Sequence, residues 1–184
     1  MPASAPDPLD DIRRWVDRAV IGLNLCPFAR AVQARGQVHY ALAPGNDFGP
    51  VLEALAREAA ELVARRPAER DTTLLVVPHG FEDFLLFHQL VQEGERLLLR
   101  LGHEGVLQLA SFHPQFVFAG AQDDDVGNLT NRAPWPTLHL LREASVERAV
   151  AAIPQPEAIY EANIRTLQEL GHAGWQALGV GART

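Results

Sequence analysis

Apolar residues at helical spacing open the chain. Leu9, Ile12, Trp15, Val16, Ala19, Val20 and Leu23 fall on one face and predict a helix over roughly residues 8–24. "QVHYALA" then alternates with a period of two, as a strand does. Val51, Leu52, Leu55, Ala59, Leu62 and Val63 return to helical spacing and predict a second helix that stops before Pro67. "TTLLVV" is a continuous apolar run containing β-branched residues, the pattern of a strand buried on both faces. Residues 82–99 read as helix and "VLQLASF" as another strand. After Pro136, "TLHLLRE" fits either a strand or the start of a helix running through "SVERAVAAI". Ile159, Tyr160, Ile164, Leu167 and Leu170 define a long C-terminal helix.

Strands alternating with helices predict an α/β fold: a layered sheet of three to five mainly parallel strands flanked by helices. The 184 residues suffice for one full core, so a single domain is expected over residues 8–178, with 1–7 and 179–184 as loose termini. The net charge of −7 is spread over mixed acids and bases with no basic tract, which argues against nucleic acid as a partner. No apolar run approaches the ~20 residues that span a bilayer, so no membrane association is expected. "MPASAPDP" lacks the basic and apolar regions of a secretory signal. Cys26 is the single cysteine, leaving no intramolecular disulfide; a reducing, cytoplasmic location follows as the expectation.

The chemistry-bearing residues fall into four groups. Cys26 sits in "NLCPFARAVQARG", and two readings stand side by side. If it ends the first helix, it is a small buried hydrophobe. If Pro27 instead begins a short helix reaching Gly36, Cys26 is its N-cap and its thiol is activated there. His79 in "VVPHG" and His113 in "SFHPQF" each follow a buried strand, so parallel strands bring both to the carboxyl edge where open α/β sheets bind ligands. His39 and His88 are explained by packing or solvent. "AQDDDVGN" lacks the alternation of a calcium loop and reads as a turn, with Asp125 the one carboxylate placed to reach a site. In "NRAPWPTLHLLRE", Pro134 and Pro136 hold Ala133 and Trp135 extended and fix the path beside Asn131 and Arg132. Arginine there offers a planar fork for carboxylate or phosphate. GxGxxG, P-loop, GxSxG and HExxH patterns are all missing.

"GLNLCPFA", "PHGFEDF", "SFHPQFVFAG" and "TNRAPWPTLHLLREASV" together resemble an uncharacterised bacterial family, the domain of unknown function numbered fourteen-fifteen. The similarity runs from about residue 9 to about residue 171. It implies that Cys26, His113, Asn131, Arg132, His139, Arg142 and Glu143 are family-pattern positions, and it supplies no reaction. Ala133-Pro134-Trp135-Pro136 stands where the family often has Ser-Pro-Tyr-Pro, so a hydroxyl at Ala133 is dispensable here.

The expectation is an enzyme acting on a small anionic molecule. Cys26 would be its nucleophile and His113 its base. Arg132 and Arg142 would clamp the anion, Glu143 (in the catalytic set) and Asn131 would orient these groups, and His139 and Asp125 would join Asn131 and the arginines in binding the substrate. One alternative is a transition-metal site of Cys26, His79 and His113, a donor set suited to zinc, iron or copper. Another is a non-catalytic adaptor that docks through the rigid proline segment.

Overall fold

The computed structural model describes residues 7–156 and 158–182. The expectation of loose ends at 1–6, 183 and 184 lies outside the described residues. Asp7 starts the first helix, α1 (Pro8–Trp15), by accepting a hydrogen bond from the Leu9 amide at 2.9 Å, with Pro8 in its first turn. The helix continues as a π turn over Val16–Ile21, where the Gly22 amide reaches back five residues to the Asp17 carbonyl. The chain turns away at Asn24, whose φ is 55°. A short helix α2 (Ala29–Ala34) leads to β1 (Val38–Leu42), then α3 (Phe48–Ala64), β2 (Thr72–Val76), α4 (Phe84–Arg100) and β3 (Leu107–Phe112). A 3-10 helix (Val126–Asn131) precedes β4 (Thr137–Arg142), α5 (Glu143–Ala151) and α6 (Ala158–Ala177), the last bent at Gly171. "TLHLLRE" is thus both things in turn: strand to Arg142, helix from Glu143.

One domain results, built on a mixed four-stranded sheet in the order β1-β2-β4-β3. β1 and β2 pair in parallel, and β4 runs antiparallel to both of its neighbours. Three strands therefore point one way, but only one of the three pairings is parallel, so the expected mainly parallel sheet is met only in part. The parallel run is broken by β4, which lies between β2 and β3. The proline segment steers that insertion. Trp135 donates its indole N–H to Asp11 Oδ2 at 3.2 Å, and the Val77 amide donates to the Pro136 carbonyl at 2.8 Å. Both X-Pro bonds are trans. Ala133, Pro134 and Pro136 are buried, so the clamp is a structural hinge packed into the molecule.

Each face of the sheet carries its own core. On the first, α3 and α4 pack on Leu75, Leu138, Leu140 and Leu107. Gly94 lets α4 close: a Cβ there would stand 2.8 Å from Leu109 Cδ2 and 2.9 Å from Leu55 Cδ2. On the second face, α1, the π turn and α6 pack on Leu74, Val76 and Phe112. Val180 is buried in this second core, and Arg18 donates to the Leu178 carbonyl at 2.9 Å. Among the described residues, no helix is long and apolar enough to cross a membrane.

Candidate functional site

Strand alternation puts Val38, Thr72, Leu74, His139, Leu141 and Phe112 on the second face of the sheet. Toward α5 that face is not fully covered, and a cavity of about 300 Å³ opens above it. Its roof is formed by Trp15, Val16 and Val20, by the loop and helix from Leu25 to Val32, and by Val146 and Ala149 of α5. The lining is apolar apart from Cys26, Thr72, Thr130, Asn131, His139, Arg142 and Ser145, and no carboxylate faces it. This is the composition of a small-molecule site: mostly hydrophobic wall with a few polar atoms that orient.

His139 lies in the middle of the floor. Its Nε2 is 2.7 Å from Thr72 Oγ1, and the same hydroxyl is 2.7 Å from the Leu140 carbonyl. A carbonyl can only accept, so both contacts are satisfied when the hydroxyl donates to Leu140 and Nε2–H donates to the hydroxyl. Nδ1 then carries the lone pair. Burial pushes the imidazole down to about 4, so the ring is neutral at pH 7.

Of the expected site residues, Cys26, Asn131, His139 and Arg142 line this one cavity. Cys26 is partly exposed there. It is not an N-cap: α2 begins at Ala29 after Phe28, and Cys26 only offers its carbonyl to the Ala29 amide. The helix-start argument for thiol activation falls with it. Asn131 Nδ2 makes a long 3.4 Å bond to the Ser111 carbonyl. Arg142 borders the cavity at the end of β4, but strand alternation sends its side chain to the other face with Leu107 and Leu140, where its guanidinium bonds the carbonyls of Leu62, Arg65 and Arg70.

The others lie elsewhere. Arg132 donates to the carbonyls of Phe116 at 3.0 Å and Asp123 at 2.6 Å, tying down a loop. Neither arginine therefore presents an open fork to an anion. His113 is fully buried, with Nε2 bonded to the Phe81 carbonyl at 3.0 Å and Nδ1 accepting from the Gln115 amide at 3.0 Å. With both nitrogens engaged and its ring packed on Phe84 and Phe87, it is a core histidine and has no lone pair to act as base. His79 is exposed just beyond β2. The two histidines do emerge at the same end of the sheet, yet His113 is sealed in the core while His79 faces solvent. Asp125 caps the 3-10 helix by accepting from the Gly127 amide at 2.7 Å, and Glu143 opens α5 outside the cavity. Among the described residues, no group of three or more His, Cys, Asp or Glu side chains is placed to hold a metal ion, so Cys26, His79 and His113 do not assemble into one.

Thr72, Thr130 and Ser145 also line the cavity, and none was singled out from the sequence. Thr72 had a signal, a polar residue at an inward position of an otherwise apolar strand. The segments that build the cavity are largely "GLNLCPFA" and "TNRAPWPTLHLLREASV", the stretches that carry the family resemblance. A family model described as a protein of unknown function (DUF1415) matches residues 8–177. The chain belongs to the DUF1415 family. No curated protein and no solved structure matches it.

Placing a neutral imidazole in this DUF1415 chain has a pH consequence. Its folded value of about 4 lies below the ordinary 6.5, so the unfolded chain takes up the proton first as pH falls. The stability that His139 contributes is complete above about 6.5, declines as pH drops toward 4, and is lost below it. The gap corresponds to roughly 3 kcal/mol. Urea unfolding at pH 7.5 and 4.5 should show a smaller loss for His139→Phe than for the unaltered protein. Equal losses would mean that the ring is protonated without penalty in the fold.

Proposed function

We propose that the protein binds a small, neutral, largely apolar molecule in the cavity over the second sheet face. The carrying observation is the cavity itself, which is ligand-sized, apolar-walled and lined by four of the residues expected to matter. The engaged guanidinium groups of Arg132 and Arg142 favour a neutral ligand over the anionic one first expected. The burial of Ala133, Pro134 and Pro136 weighs against docking through the proline segment. A thermal-shift panel of matched neutral and anionic fragments tests this. Neutral apolar fragments should raise the melting temperature and their carboxylates should not. Stabilisation by the carboxylates alone would overturn it.

A second reading is enzymatic, favoured by the placement of Cys26 on the same wall as the ligand space. Here the Cys26 thiol loses its proton to water and the thiolate adds to an electrophilic carbon of a conjugated double bond: the S–C bond forms as the C=C π bond breaks, and the neighbouring carbon takes a proton from water. His139, neutral and weakly basic, orients that molecule and is a poor acceptor for the thiol proton. Native protein should therefore be alkylated once by N-phenylmaleimide, with loss of the adduct in Cys26→Ser. The rate should exceed that of a carboxylated maleimide by about tenfold after normalisation to a free thiol, since an apolar wall desolvates the charged reagent. Labelling seen only after denaturation would remove Cys26 from any reaction.

A further inference from the structure

We propose that the cavity selects neutral aromatic molecules that carry a hydrogen-bond donor, a phenol being the simplest, with the donor directed at His139 Nδ1. This rests on the reading that the cavity binds a small neutral molecule, and it names the class.

Three observations converge on it. The first is the wall. Trp15 meets Phe112 edge-on with centroids 4.8 Å apart and planes at 62°, and Phe112 in turn lies 5.8 Å from the His139 ring. These three rings, with Phe28 opposite in the roof segment, form a continuous aromatic lining. Flat π systems pack best against such a surface through offset and edge contacts. A volume of about 300 Å³ is ample, since an apolar cavity of roughly half that size holds a benzene ring.

The second is the direction of the polar atoms. Thr72 occupies Nε2–H and so fixes the tautomer that leaves Nδ1 as acceptor. Nδ1 has no partner among the described residues. The single buried side-chain nitrogen or oxygen without a partner there is Trp15 Nε1, so Nδ1 is open to the cavity that His139 lines. Thr130 and Asn131 also line the cavity. A ligand that brings a donor satisfies an acceptor that an apolar ligand would strand.

The third is charge. No Asp or Glu lines the cavity, which leaves nothing to neutralise an ammonium group. The Arg142 guanidinium is taken up by three carbonyls, and the His139 lone pair repels an anion. Neutral donors remain.

Isothermal titration with four matched ligands tests the proposal: 4-methylphenol, 4-methylanisole, para-xylene and 4-methylbenzoate. We expect 4-methylphenol to bind about tenfold more tightly than 4-methylanisole, whose donor is capped, and 4-methylbenzoate to bind more weakly than either. His139→Phe should bring 4-methylphenol down to the level of 4-methylanisole, so that the ratio between the two, whatever the change in the wall, falls to about one. If the phenol and its methyl ether bind equally, the proposal is overturned while the neutral-ligand reading stands. If none of the four binds, that reading fails as well. Nitrogen-15 spectra of the unaltered protein give an independent measure should the variant not fold. They should show Nδ1 as the unprotonated nitrogen and its resonance moving when 4-methylphenol is added. A protonated Nδ1, or one indifferent to the phenol, overturns the proposal.

Discussion

Glu58→Ala should lower folding stability by about 3–5 kcal/mol in urea denaturation. Glu58 projects from α3 into a nearly closed space, where Arg70 Nη2 donates to its Oε2 at 2.5 Å. Arg70 Nε and Nη2 also contact Thr73 Oγ1, at 2.9 and 2.8 Å. The two charged side chains are 7% and 11% exposed, so water cannot replace either partner. Truncating Glu58 leaves a guanidinium buried with one neutral hydroxyl, and His39, 3.6 Å from the lost carboxylate, loses its neighbour too. The pair itself need not be strongly stabilising, because both charges were taken out of water to form it. Replacing both at once, as Glu58→Leu with Arg70→Met, should therefore recover most of the loss. A single-variant cost below about 1 kcal/mol would mean that the pair behaves as a solvated surface contact.

Arg142→Met should cost about 3 kcal/mol and leave ligand affinity of the folded protein unchanged. Its guanidinium closes the C-terminal end of α3, bonding the Leu62 carbonyl, Arg65 at 2.7 Å and Arg70 at 3.0 Å. The Leu62 and Arg65 carbonyls lie at the last turn of α3, where the Arg65 amide is Leu62's backbone partner, and a cation there also meets the negative end of the helix dipole. Methionine keeps an unbranched stem of similar length and removes the donors. Arg142→Lys should rescue little, because one ammonium cannot span carbonyls that a planar fork reaches together. Chemical denaturation alongside fragment titration separates the roles. Lost binding at unchanged stability would return Arg142 to the ligand.

The helices and strands were legible because each buries one face and so imposes its own period on the sequence. Their order in the sheet was not. Nothing in "TLHLLR" states that it enters between β2 and β3, since that choice depends on partners far along the chain. The site suffered from the same gap. His113 and His79 were read at the correct end of the sheet, yet a histidine beside Phe84 and Phe87 with two backbone partners is indistinguishable in sequence from one facing a ligand. His139 was picked out, but its acceptor nitrogen is defined by Thr72, 67 residues away. Arg132 and Arg142 misled because their carbonyl partners are backbone atoms, which leave no trace in residue identity. Cys26 missed its cap because residues 22–28 form consecutive turns and the helix begins only at Ala29.

The insertion of β4 also sets a timetable. β2 and β3 pair with β4 and not with one another, so the sheet stays in two pieces until Arg142 has been synthesised. Through the making of residues 113–136, each of those strands offers an unpaired edge to any other extended chain nearby. Joining them demands contacts of long sequence separation, which form slowly, while the ribosome adds only ~5–20 residues per second. The proline segment lies inside that interval. By restricting the path just ahead of β4, it shortens the search for the gap and with it the time during which a nascent chain can pair with a stranger.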